Sequence, residues 1–174
     1  MSSSEFTVYK TSFLSAIIKV LRESESGRLD EAAFPAYSHR NPLINWLFWS
    51  RLRKAMTYLD RGRPYERALD FGCGSGVMLP FLGRVASHVI ALDVDLLPIT
   101  RVKSQITFPS NVEVRSTSEF ALDDLPAASC DIITALDVLE HVDNLPRTLK
   151  SLMRLLKPGG RLVVSGPTEN ILYQ

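Results

Sequence analysis

From Glu66 onward, short apolar runs alternate with segments of helical character, and this alternation constrains the fold more than any other feature of the chain. Runs such as VIAL and DIIT are continuous and apolar, as expected for parallel strands buried on both faces. Strands that alternate with helices predict an α/β fold, namely a doubly wound parallel sheet of about five strands. The predicted strands are residues 67–71, 88–93, 111–115, 130–136 and 160–166, and the predicted helices between them are 76–86, 96–106 and 144–156.

The first 64 residues have a different, helical pattern. Apolar residues recur at helical spacing from Phe13 to Leu21, which predicts a helix over 11–23. Asn41 and Pro42 suit the N-cap and the first position of a second helix over 41–59. We therefore expect residues 1–64 to form an N-terminal helical cap and residues 65–174 to form the sheet domain.

Composition indicates an ordinary globular protein without a nucleic-acid partner. Of the 174 residues, 45% are hydrophobic and 22% are charged, and the net charge is +1. Charge is uneven, since residues 40–67 hold seven basic and two acidic side chains, whereas residues 113–143 hold eight acidic and one basic. The basic segment is either a solvated face or a surface that meets an anionic substrate, a membrane or a partner.

Other features of the chain indicate a cytoplasmic location. The two cysteines form no C-x-x-C pair, the N-terminus does not resemble a signal peptide, and no apolar run is long enough to span a membrane. The aromatic and basic run NWLFWSRLRK, which contains Trp46 and Trp49, is either a lid helix packed on the domain or an interfacial helix in peripheral contact with a membrane.

Three glycines, Gly72, Gly74 and Gly76, lie between the first predicted strand and the helix after it. A glycine turn at this place lets the backbone approach a ligand closely, next to the N–H groups of a helix end. The spacing is G-x-G-x-G, whereas dinucleotide-binding turns have G-x-G-x-x-G. Cys73, inside the turn, is interpreted as a small tolerated residue and not as a nucleophile.

Two acidic residues accompany this turn. Asp93 ends the second strand, 21 residues after Gly72, where a carboxylate can bind the two hydroxyls of a ribose. Both NAD and S-adenosylmethionine contain such a ribose, so Asp93 does not distinguish between them. Asp70, two residues before Gly72, would repel a phosphate and favours a positively charged ligand such as S-adenosylmethionine, which has a sulfonium and an ammonium group.

Four segments in order, LDFGCGSG, VIALDVD, LPAASCDIITALDVLEHV and LLKPGGRLVVSGP, resemble the motifs of the class I S-adenosylmethionine-dependent methyltransferases, in particular the small-molecule and quinone-biosynthesis type. They span residues 68–167. The resemblance implies a Rossmann-like fold, S-adenosylmethionine as cofactor with S-adenosylhomocysteine as product, and in-line methyl transfer to a small-molecule or lipid-like acceptor.

The resemblance also implies roles for individual residues. Asp70 would orient the ammonium group, Asp93 would bind the ribose, and Val94 would pack near the adenine. The turn, with Gly72, Cys73, Gly74 and Gly76, would pass close to the methionine and ribose portions. Candidates for a polar adenine contact are Ser118, Glu119 and Phe120, and the residues expected to line the cofactor and substrate side are Leu136 and Asp137.

His141 is the candidate general base, because it follows the fourth strand at the edge where open α/β sheets bind ligands. A structural role for His141 is the alternative, and His39 is a second candidate base. Asp137, Glu140 and His141 form a D-x-x-E-H pattern related to a metal-holding pattern in some methyltransferases. No further histidine follows, so no metal site is expected.

The pattern departs from the family at its C-terminal end. The family fold continues after the fifth strand with a helix and a hairpin of strands six and seven, whereas this chain stops at Gln174. We therefore expect a short form whose fifth strand is an apolar edge, and self-association through that edge. Two alternatives remain: a non-catalytic S-adenosylmethionine-binding domain or fragment, and a nicotinamide-dependent oxidoreductase. The glycine spacing, Asp70 and the lack of a Tyr-x-x-x-Lys pair disfavour the second.

Overall fold

Five parallel strands form one sheet in the computed structural model, which describes residues 1–23, 41–62 and 64–166. The strands are β1 (Tyr65–Phe71), β2 (Ala86–Asp93), β3 (Val112–Ser116), β4 (Cys130–Leu136) and β5 (Leu156–Ser165), in the order β3-β2-β1-β4-β5. The predicted doubly wound, Rossmann-like sheet is confirmed. Strand order reverses between β1 and β4, and open α/β sheets bind ligands at the carboxyl edge of such a switch point.

Five helices flank this sheet in the described ranges. They are α1 (Ser3–Glu23), α2 (Pro42–Asp60), α3 (Leu79–Val85), α4 (Leu97–Lys103) and α5 (Leu145–Leu155), with short 3₁₀ turns at Leu122–Asp124 and Leu139–His141. The N-cap of α2 is confirmed, because the Asn41 side chain accepts a hydrogen bond from the Leu43 N–H at 2.9 Å.

Two helices begin more than one residue away from the predicted start. The predicted start of α1 at residue 11 is wrong, because Ser2 and Glu5 form a capping box in which each side chain accepts a hydrogen bond from the other residue's backbone N–H. The apolar stripe of α1 accordingly extends to Phe6, which packs edge-on against Trp49. The predicted start of α3 at residue 76 is also wrong. Gly76 has a φ of +79°, outside the helical region, and the helix begins at Leu79.

Each face of the sheet buries its own apolar core. Helices α1 to α4 cover one face, where Phe13, Ile17 and Met56 pack in one cluster with Ala68 and Val89 of the sheet. Helix α5 covers the other face, where Leu152 and Leu155 pack with Leu69, Ile90 and Ile133. The described helices of residues 1–64 therefore share a core with the sheet. The division into a helical cap (residues 1–64) and a sheet domain (residues 65–174) remains a prediction.

β5 begins earlier than predicted and contains an irregularity. Its pairing with β4 shifts register between Cys130↔Leu156 and Ile132↔Arg161, so residues 157–160 form a bulge. Gly159, at a φ of +77°, allows this bulge. β5 pairs with β4 on one side only among the described strands. The candidate base His39 and residues 167–174 lie outside the described residues. No described helix is long and apolar enough to cross a membrane.

Candidate functional site

The three glycines of the turn all adopt backbone conformations that disfavour other residues. The φ angles of Gly72, Gly74 and Gly76 are +73°, +51° and +79°. A Cβ atom at Gly76 would lie 2.9 Å from the tip of the Phe108 ring, so packing also disfavours a larger residue there. A Cβ atom at Gly74 would have no neighbour within 4 Å, so the turn presents its backbone to open space at this point.

Asp93 ties the end of β2 to this turn. Its carboxylate accepts hydrogen bonds from the N–H groups of Gly74 at 2.6 Å and Asp95 at 3.1 Å. The turn is further fixed by the N–H groups of Gly72 and Cys73, which both donate to the Leu92 carbonyl. A carboxylate has about four lone-pair positions, so the half-buried Asp93 keeps acceptor capacity for further hydroxyl donors.

Asp70 lies inside the sheet beneath the turn. Its side chain is only 3% exposed, and it accepts a hydrogen bond from the Thr134 hydroxyl of β4 at 2.6 Å. Burial raises the pKa of Asp70 to about 7, with the Thr134 hydrogen bond opposing this rise and Asp93 adding to it. The structure therefore places a carboxyl that titrates near neutrality at the switch point between β1 and β4.

A cavity of about 400 Å³ opens at the carboxyl edge of the sheet, within the size range of small-molecule sites. One wall follows β2 and β3, and the other follows β4 and continues into α5. Five predicted site residues line this cavity: Gly72, Asp93, Val94, Phe120 and His141. The remaining predicted site residues do not line it, namely Asp70, Cys73, Gly74, Gly76, Ser118, Glu119, Leu136 and Asp137.

Sequence reasoning missed several residues of this lining. Seven of them lie in the segments after β3 and β4, whose side chains follow no helical or strand period. The other five lie in β1, β2 and α5, whose periodicity predicts the element but not which residue faces a cavity. The missed lining residues are Phe71, Leu92, Thr117, Ala121, Leu122, Asp123, Val138, Val142, Asp143, Arg147, Thr148 and Ser151.

Asp137 turns away from the cavity toward β5 and α2. It has a φ of +53°, its N–H donates to the Ser165 carbonyl at 2.9 Å, and its Oδ1 lies 3.2 Å from the Arg51 guanidinium. Burial raises the pKa of Asp137, against the lowering effects of Arg51 and of the Ser165 hydroxyl, and Glu140 raises it further. Asp137 thus joins the end of β4 to the N-terminal helices.

Neither cysteine has the character of a nucleophile. Both are free and buried. Burial raises the pKa of the Cys73 thiol far above its usual range, and the charges of Asp70 and Asp93 add to this effect. Burial also raises the pKa of Cys130. Among the residues that the structure describes, no group of three His, Cys, Asp or Glu side chains is placed to hold a metal ion.

A glycine turn with three positive φ angles, an acid at the end of β2 and a cavity at the switch point define a Rossmann-like domain suited to a ligand that contains a ribose. A family model described as "Methyltransferase domain" matches residues 39–173, and the chain belongs to this family. The predicted resemblance to the class I S-adenosylmethionine-dependent methyltransferases is thereby confirmed.

Individual relatives agree with this assignment. The chain is 32% identical over 108 residues to the ubiquinone biosynthesis O-methyltransferase of Marinobacter nauticus, a match that covers 60% of this chain and 45% of that protein. The YcgJ protein of Bacillus subtilis shares the fold with a TM-score of 0.59 at 22% identity, over 71% of this chain and 54% of that one. An S-adenosylmethionine-dependent methyltransferase of Archaeoglobus fulgidus has a TM-score of 0.54 at 26% identity, over 71% and 53%. The chain spans about half the length of the curated relatives it matches.

Proposed function

We propose that this chain binds S-adenosylmethionine at the carboxyl ends of β1, β2 and β4 and methylates a small-molecule acceptor. The observation that carries the proposal is the glycine turn with three positive φ angles, whose Gly74 amide is held by the Asp93 carboxylate. Membership of the methyltransferase family and the names of the curated relatives support the same reaction. When bound, this cofactor would supply a methyl group on a positively charged sulfur: a nucleophilic atom of the acceptor would bond to the methyl carbon as the carbon–sulfur bond breaks and S-adenosylhomocysteine leaves.

The residues present suit this cofactor. Asp93 has acceptor capacity left for ribose hydroxyls, and the open space at Gly74 admits a ligand atom where a side chain would otherwise stand. Val94 and Phe120 give the cavity apolar surface for the adenine ring. The Arg115 guanidinium stacks 4.4 Å from the Phe120 ring centre and holds that ring in place. Beneath the turn, the carboxyl of Asp70, which titrates near neutrality, provides negative charge for a cationic ligand when it is ionised.

The main contribution of such a chain is alignment, since the methyl group of a sulfonium is already activated. If the acceptor is a hydroxyl, as the names of the relatives suggest, it must lose a proton. His141 is the proposed proton acceptor because this residue lines the cavity on the wall opposite β2. A His141→Gln variant is expected to keep its affinity for S-adenosylhomocysteine and to lose turnover.

Thermal-shift measurements test the cofactor. S-adenosylmethionine and S-adenosylhomocysteine are expected to raise the melting temperature, and NAD is not. Asp93→Asn should weaken the response at least tenfold in ligand concentration, because a ribose acceptor is lost. Asp95→Asn is the matched control, since it makes the same chemical change two residues away and Asp95 does not line the cavity. A stabilising effect of NAD alone would refute the proposal.

Two further proposals concern contacts with other molecules. The free side of β5, where Val164 is 49% exposed, supports self-association through this edge. A monomer mass in light scattering at high protein concentration would contradict it.

On α2, Leu43 and Trp46 are each 60% exposed, which supports peripheral membrane contact. Equal recovery of wild type and Trp46→Ser with anionic liposomes would contradict it. We propose the cytoplasm as the compartment, since both described cysteines are free.

A further inference from the structure

Arg51, in the middle of α2, reaches the carboxyl ends of two strands. Its Nη1 donates a hydrogen bond to the Gly166 carbonyl at 2.7 Å and lies 3.2 Å from Oδ1 of Asp137. The guanidinium also stacks over the Phe48 ring, with its carbon 4.3 Å from the ring centre. Stacking and hydrogen bonding together hold a planar guanidinium in one orientation, which a flexible lysine would not achieve.

The partner of Arg51 is a residue under backbone strain. Asp137 has a φ of +53°, in the left-handed region that residues with a side chain rarely adopt and that persists when the surroundings enforce it. Two described side chains contact its carboxylate: the Ser165 hydroxyl donates to Oδ1 at 3.3 Å, and the Arg51 guanidinium lies beside the same oxygen. Arg51 provides the only positive charge among these contacts.

The strained residue begins one wall of the candidate site. Val138, which follows it directly, packs so tightly over the glycine turn that a Cβ atom at Gly72 would lie 2.2 Å from its Cγ2. The 3₁₀ turn Leu139–His141 then brings His141 to the cavity, and the His141 N–H donates to the Val138 carbonyl at 3.0 Å. The backbone direction at Asp137 therefore sets where both Val138 and His141 lie.

We infer that Arg51 is a positioning residue of the site: it holds Asp137 in its left-handed conformation and thereby fixes the wall that carries Val138 and His141. It acts through Asp137 and does not line the cavity itself. The described N-terminal helices thus contribute to the site without lining the cavity. This inference rests on the proposed function for its binding readout, but not for the backbone readout described below.

The test compares Arg51→Met with Arg53→Met, two residues further along α2, where the native guanidinium instead bonds the Ser3 hydroxyl. Arg51→Met is expected to raise the dissociation constant of S-adenosylhomocysteine about tenfold. It is also expected to speed exchange of the Asp137 amide hydrogen about tenfold, because that N–H bonds the Ser165 carbonyl only in the strained conformation. Arg53→Met should change neither value more than twofold, and Arg51→Lys should restore part of both.

A second background separates positioning from general support of the fold. Glycine adopts a positive φ without strain, so Asp137→Gly should remove the need for Arg51. In that background, Arg51→Met is expected to change the dissociation constant and the amide exchange at residue 137 by less than threefold. An equal effect of Arg51→Met in both backgrounds would overturn the inference, as would wild-type exchange in the single variant. If the wild type binds no S-adenosylhomocysteine, the proposed function fails, and amide exchange alone then decides the role of Arg51.

Discussion

The Asp70→Asn variant tests whether the fold resists ionisation of the carboxyl beneath the glycine turn. Asp70 is 3% exposed, and its hydrogen-bond partner, the Thr134 hydroxyl, also suits an asparagine side-chain oxygen. The substitution therefore removes the titrating group while it keeps the shape and one hydrogen bond. Any pH dependence that disappears in the variant belongs to Asp70.

The size of the effect follows from the pKa. Burial moves the pKa of Asp70 from 3.8 to about 7, which corresponds to about 4 kcal/mol between the two protonation states. Because the folded pKa lies above the unfolded one, this stabilisation is complete below about pH 4 and is lost as pH rises to about 7. The free energy of unfolding of Asp70→Asn, relative to wild type, should therefore rise by about 4 kcal/mol between pH 4 and pH 8.

Urea unfolding at intervals from pH 4 to pH 8, without ligand, measures this difference. In thermal unfolding, the same change corresponds to roughly 8 to 16 °C for a chain of this size. Asp131→Asn is a control of opposite sign. Burial alone would raise the pKa of Asp131, but the Arg67 N–H, the Lys157 ammonium and the Glu66 N–H together lower it. That variant should lose stability at neutral pH, and the loss should shrink as pH falls. A constant difference between Asp70→Asn and wild type across the range would refute the reasoning.

Three further predictions follow from the turn and the helix cap. Gly72→Ala should destabilise the fold by about 2 to 5 kcal/mol in urea unfolding, since strain at positive φ adds to the clash with Val138. Gly74→Ala has the strain without the clash, so it should cost about 1 to 2 kcal/mol and mainly weaken S-adenosylhomocysteine binding. Equal costs at both glycines would contradict this. Native Cys73 should react with iodoacetamide at pH 8 at least a hundredfold more slowly than in urea, because its thiol is buried and its pKa raised; similar rates would contradict that assignment. Asn41→Ala should cost about 1 kcal/mol through loss of the α2 cap and leave ligand affinity unchanged, which calorimetry would check.

Much of the fold was predictable because buried parallel strands are continuous apolar runs. β4 was predicted at its observed bounds, and β1 and β2 each differ by two residues at one end. The errors lie where short polar segments decide the boundary. The first turn of α1 is polar and depends on the Ser2 and Glu5 capping box, and the bulge of β5 is visible only in the pairing with β4.

The site was predictable only where backbone conformation or strand position determines the residue. Gly72 and Asp93 fall at the cavity because a turn and a strand end put them there. The wall after β4 depends on Asp137, whose orientation is set by Arg51 on a helix far away in the chain. No local pattern in the sequence encodes such a long-range ion pair, so its role emerges only from the three-dimensional arrangement.

The position of β1 in the centre of the sheet also has a consequence for how the chain folds during synthesis. β2 leaves the ribosome soon after β1 and can pair with it early, but the other neighbour of β1 is β4. The hydrogen bond from Thr134 to Asp70 can form only after the chain has grown by a further 64 residues. Until β4 has left the ribosome, one side of this central strand has no partner, and such edges recruit other chains. Pairings that span long stretches of sequence also form slowly. Chaperone demand during synthesis should therefore be highest for nascent chains that end between β2 and β4.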